Sequence, residues 1–128
     1  RQENSSSLSR RFYFGEPALR IREYKDYEAV LGEVHPAMRA VAREYISYLY
    51  SYFVRLCKLS SKSEAEKKLI MHYWLDRSVG KYASESDVAK EDAMRQMWKY
   101  VQACDVEGLY AFASAKAVNS GCCAELHP

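Results

Sequence analysis

From His35 to Leu59 the chain reads HPAMRAVAREYISYLYSYFVRLCKL, and wound as an α-helix this segment is apolar on almost every side. At about 100° per residue, Glu44, Ser47, Ser51, Arg55 and Lys58 fall in a polar stripe roughly 80° wide. Tyr45, Ile46, Leu49, Tyr50, Tyr52, Phe53, Val54, Leu56 and Cys57 fill the remainder. A helix of that kind must be covered on several sides. The segment is predicted to form the centre of a helical bundle, with only the polar stripe facing water.

The flanking sequence supplies the covering helices. Pro17 opens a predicted first helix that runs to Gly32, with Leu19, Tyr24, Tyr27, Val30, Leu31 and Val34 as its expected core face. Pro36 opens the central helix and Ser60-Ser61-Lys62-Ser63 ends it. Ser63 and Glu66 form a capping box for a third helix carrying Leu69, Ile70, Tyr73, Trp74 and Leu75, expected to stop near Gly80. Ser86 or Asp87 is the expected N-cap of a fourth helix, which buries Met94, Met97, Trp98 and Val101. Asp105 begins a fifth, with Val106, Leu109, Tyr110, Ala113 and Ala117 on one face. The fold class is therefore all-α: a compact bundle of about five helices, a single helical domain over residues 1–128. Residues 1–11 are expected to be a flexible lead and 120–128 a flexible tail. The aromatic run Phe12-Tyr13-Phe14 is expected to dock on the bundle.

Composition excludes several classes. A content of 48% hydrophobic and 28% charged residues is that of a globular chain rather than a disordered one. A net charge of +2 gives no basic excess for nucleic acid, and the groups Arg20/Arg22/Lys25, Arg39/Arg43 and Lys62/Lys67/Lys68 all have acidic neighbours. The Arg10-to-Phe14 run is the one basic-aromatic patch suited to an acidic partner or a membrane surface. No transmembrane segment or signal peptide is read; Tyr45 to Leu59 is interrupted by polar residues and shorter than the ~20 residues of a span. The first residue is Arg1 rather than Met, so a processed or excised chain is expected.

Catalytic and metal chemistry find little footing. His72 and Asp76 share a helical face, but no nucleophile accompanies them. His35 before Pro36 suits a cap. Cys122, Cys123 and His127, with Cys104 upstream, match no standard zinc spacing. With only five glycines, no phosphate-binding loop is present. Neither an enzyme nor a cofactor is expected. Of the four cysteines, Cys57 belongs to the core; reduced thiols and an intracellular setting, cytoplasmic or nuclear, are expected, with a secreted protein as the alternative.

The compositional excess is tyrosine, eleven in all. Tyrosine joins a large apolar face to a polar tip and suits interfaces. Tyr48 and Tyr50 lie on opposite flanks of the central polar stripe. The leading expectation is a non-enzymatic interaction or assembly domain, adaptor- or scaffold-like, using Tyr48, Tyr50, Tyr73 and Trp74 with Arg43 and Arg55 as rim charges. Its partner is a protein, for instance a helical segment, or a second copy. A carrier holding an apolar ligand among Met94, Met97, Trp98 and Phe53 is the alternative.

Met97-Trp98-Lys99-Tyr100 followed by Asp105-Val106-Glu107-Gly108-Leu109-Tyr110 resembles the tryptophan motif of helical WY-type oomycete effectors. The resemblance covers only this short stretch, and that family's downstream tyrosine motif is missing after Phe112. It implies a secreted, host-targeting helical protein as a further alternative.

Overall fold

Glu16 and Pro17 start the first helix, where an acidic side chain and a proline both suit the unpaired N–H groups of a first turn. The computed structural model describes residues 14–32, 34–75 and 92–120. Among these it forms five helices and no strand: α1 (Glu16–Leu31), α2 (Ala37–Lys58), α3 (Glu64–Leu75), α4 (Asp92–Gln102) and α5 (Val106–Ser120). The expected end of the third helix at Gly80 and the Ser86/Asp87 cap lie outside the described residues, as do the lead and most of the tail.

The caps follow the local sequence. His35 Nδ1 accepts the Ala37 N–H at 3.0 Å, capping α2. Ser63 and Glu66 make the reciprocal box: Glu66 N–H donates to Ser63 Oγ (3.1 Å), and Ser63 N–H to Glu66 Oε1 (2.8 Å). Gly32, at φ +92°, ends α1 with its N–H on the Glu28 carbonyl. Lys67, buried, donates Nζ to the Cys57 carbonyl at 3.0 Å and so places a cation on an open carbonyl at the end of α2.

The central position of α2 is as the sequence predicts. It packs against α1, α3, α4 and α5, while α5 also touches α3 and α4. Tyr45, Ile46, Leu49, Tyr52, Phe53 and Leu56 are buried. Glu44 and Ser51 are exposed, with Ser47, Arg55 and Lys58 half-buried beside them. Met97, Trp98 and Val101 come in from α4, and Leu109, Ala113 and Ala117 from α5; Met94, Val106 and Tyr110 pack at the core's edge.

The expected face of α1 is corrected. Leu19, Tyr27 and Val30 are 57%, 53% and 83% exposed, and Val34 beyond the helix is 94% exposed. Tyr24 is buried, and Leu31 is half-buried. The seated face runs through Pro17, Ile21, Tyr24 and Leu31 instead. The physical reason is that α1 carries apolar residues on two sides, and only one can face α2. The Tyr24 ring meets Tyr45 edge-on at 6.3 Å, which turns that side inward.

The α4–α5 corner is tightly built. Asp105 N–H bonds the Tyr100 carbonyl (2.9 Å) and Cys104 N–H the Val101 carbonyl (3.1 Å), the six-to-one and five-to-two pattern of a Schellman stop. Cys104 holds the left-handed position at φ +52° that glycine usually takes. Asp105 then caps α5 by accepting the Gly108 N–H at 2.9 Å. A Cβ on Gly108 would stand 2.5 Å from Asp105 Oδ2 and 2.6 Å from two Tyr100 ring carbons. Gly108→Ala is therefore expected to destabilise by about 1–3 kcal/mol through crowding, against the gain of about 1 kcal/mol that alanine gives in an open helix. Urea unfolding of the variant decides the sign.

Candidate functional site: an exposed aromatic patch

Three elements converge just before α1. The Phe14 carbonyl accepts the Tyr52 hydroxyl at 2.8 Å, which ties the start of α1 to the middle of α2. The Phe14 ring then lies 5.2 Å from Tyr73 and 5.4 Å from Trp74. Consecutive residues on a helix diverge by about 100°, so Trp74 turns into the core while Tyr73 stays exposed; their rings stand perpendicular at 4.8 Å. Leu69, one turn before Tyr73 on α3, is also exposed. Phe14 and Tyr73 form an exposed aromatic pair against buried Trp74, and Leu69 extends it one turn along α3. Phe14 docks as expected; Phe12 and Tyr13 lie outside the described residues.

The patch continues along one flank of α2. Tyr48 lies 5.9 Å from Tyr52. Arg20 of α1 sits over the Tyr48 ring at 5.1 Å, and Arg55 lies 6.0 Å from the Tyr52 ring while pairing with Glu16 at 3.5 Å. Burial raises the phenol pKa of Tyr48 and Tyr52 far above the ordinary range. The Glu16 carboxylate pushes Tyr48 the same way, and Arg55 and Arg20 pull against it. Both phenols are thus neutral at physiological pH, and Tyr52 uses its proton to donate to the Phe14 carbonyl. Beside them a cleft of about 390 Å³ runs between α1 and α2, lined by Arg20, Glu23, Glu44, Tyr45, Ser47, Tyr48 and Ser51. Its walls are mostly polar. Phe53, Met97 and Trp98, named as walls of a carrier cavity, are buried in the core, with Met94 at its edge.

The six residues singled out from sequence divide. Tyr48, Arg55, Tyr73 and Trp74 are linked in one run of contacts through buried Tyr52 and through Phe14, with Trp74 itself buried. Tyr50 and Arg43 lie on the other flank of α2, where Tyr50 meets Phe112 of α5 at 6.3 Å and Phe112 meets Tyr100 at 5.9 Å. Leu69 and Phe14 complete the exposed patch and were not among those six. The spacing of Leu69 four residues before Tyr73 was a readable signal; the Phe14–Tyr73 contact joins residues distant in sequence and was not.

Other reactive groups offer less. Burial raises the Cys57 thiol, with Ser114 and Lys67 opposing, so it stays protonated near neutral pH, unlike an activated cysteine. Neither Cys57 nor Cys104 is in a disulfide. Asp76, the companion of exposed His72, and the Cys122/Cys123/His127 group lie outside the described residues. Among the described residues no group of three or more His, Cys, Asp or Glu is placed to hold a metal, and no helix is long and apolar enough to cross a membrane. Comparisons with protein-family models, curated proteins and solved structures return no match.

Proposed function

We propose that this chain is a non-enzymatic protein-interaction or assembly domain of the adaptor or scaffold kind, with Phe14, Leu69 and Tyr73 as the contact patch. The observation that carries the reading is the exposed Phe14–Tyr73 contact against buried Trp74, with exposed Leu69 one helical turn away. Single exposed apolar residues are ordinary, but clustered ones backed by packed rings have the make-up of interface hot spots. Tyr48, Arg20 and Arg55 border the patch and supply polar and cationic contacts at the rim. An apolar segment with anchors at helical spacing fits such a surface. Tyr50 and Arg43 face another side and form a separate contact region.

The test places a photo-crosslinking residue at position 69 of the full chain and identifies the protein captured by mass spectrometry. Tyr73→Ala is expected to weaken binding of that protein roughly thirtyfold or more, in line with the ~2 kcal/mol or more of a hot-spot aromatic. Leu69→Lys should weaken it comparably, and Tyr50→Ala should not. Unchanged binding in both Tyr73→Ala and Leu69→Lys, with the helical signal intact, overturns the assignment.

A further inference from the structure

The outer face of α1 presents a second apolar surface, and its charge pattern says what fits it. Leu19, Tyr27 and Val30 fall within roughly 80° of one another, on the side of the helix away from α2. Along one edge of this stripe lie Arg22 and Asp26, one turn apart, both exposed and neither ion-paired among the described residues. Glu23, near the middle of the stripe, brings its own counter-charge in Arg20 at 3.3 Å.

We infer that the occupant is a second copy of this chain, with the two α1 helices crossing antiparallel about a two-fold axis level with Tyr24. In that arrangement Arg22 faces Asp26 of the second copy, and the contact repeats with the roles exchanged. Leu19 then meets Val30 of the second copy at each end of the crossing. An isologous contact requires a self-complementary surface, and a basic and an acidic residue equidistant from the axis supply one. The parallel alternative sets Arg22 against Arg22 and Asp26 against Asp26. One helix face covers less than the ~800 Å² per partner of a standard stable interface, so the dimer is a weak, concentration-dependent one with a Kd between about 10 µM and 1 mM. The residues of this surface are distinct from those of the Phe14–Tyr73 patch.

Sedimentation equilibrium on the full chain from the micromolar to the millimolar range tests the proposal. The expected result is a rise from monomer to dimer mass that Leu19→Lys and Val30→Lys each abolish while circular dichroism stays unchanged. Asp26→Arg should weaken the dimer about tenfold, and Arg22→Asp combined with Asp26→Arg should restore it. A chain that stays monomeric at millimolar concentration overturns the inference, including one that instead binds anionic vesicles. So does a dimer indifferent to Leu19→Lys and Val30→Lys, or a charge-swapped double variant no tighter than Asp26→Arg alone. Capture through position 69 is read separately, so either result stands without the other.

Discussion

Trp98→Ala is expected to cost about 3–5 kcal/mol of folding stability, a large fraction of the roughly 5–15 kcal/mol typical of a domain. Trp98 is 1% exposed, and α4 reaches the core through it together with Met97 and Val101. Removing the indole opens a cavity where α4 meets α5 and α2, and those helices can close it only by shifting against one another. The thermal midpoint should fall by roughly 10–20 °C, followed by far-ultraviolet circular dichroism with the remaining Trp74 as a fluorescence probe. Trp98→Phe supplies the contrast. It keeps an aromatic ring and removes a buried indole N–H that has no hydrogen-bond partner among the described residues. Its expected loss is about 1 kcal/mol or less, since deleting an unsatisfied donor offsets part of the lost volume. Equal stability of wild type and Trp98→Ala would contradict the packing described for α4.

The second large effect is alkaline unfolding. Burial raises Tyr45, Tyr48 and Tyr52 well above the pKa of a free phenol, and Tyr52 also uses its proton to bond the Phe14 carbonyl. In the unfolded chain the same groups ionise near pH 10. Above that pH the unfolded chain releases protons that the folded chain retains, so stability falls as pH rises; below it these groups contribute no pH dependence. Each contributes a slope of about 1.4 kcal/mol per pH unit, with less from half-buried Tyr48. Together they should bring on cooperative unfolding between about pH 10.5 and 12. Cys57, raised by burial as well, acts in the same direction. Phenolate absorbance should show at least these three titrating only in a late, steep step coincident with loss of helix. A single smooth titration with the helices intact would remove the basis for the aromatic site, because it requires those rings to be solvated.

The sequence carried the parts of the fold that depend on one helix at a time. The near-total apolarity of α2 required surrounding helices, and the Ser63–Glu66 and Asp105 caps were legible because a cap is a contact among neighbours in the chain. The seating of α1 was not legible. Leu19, Tyr24, Tyr27, Val30 and Leu31 satisfy a helical repeat together, yet they divide between two sides of the helix. Which side turns inward depends on Tyr45 of α2 and on the Tyr52–Phe14 bond, neither of which is local. The site divides in the same way. Helical geometry alone puts Tyr48 and Tyr50 on opposite flanks. Bringing Tyr73 and Trp74 to Phe14 depends on how α3 lies against the start of α1, a tertiary relation.

The α4–α5 corner bears on how this chain tolerates changes in length. Asp105 closes one helix through its backbone and opens the next through its side chain, so no residue between the two helices is spare. Deleting Ala103 or inserting a residue beside it would break the register of the Asp105–Tyr100 and Cys104–Val101 hydrogen bonds that set the direction in which α5 leaves α4. Leu109, Ala113 and Ala117 would then lose their seats in the core together. Related chains that keep this fold should therefore hold the count from Trp98 to Leu109 fixed, and gain or lose residues elsewhere.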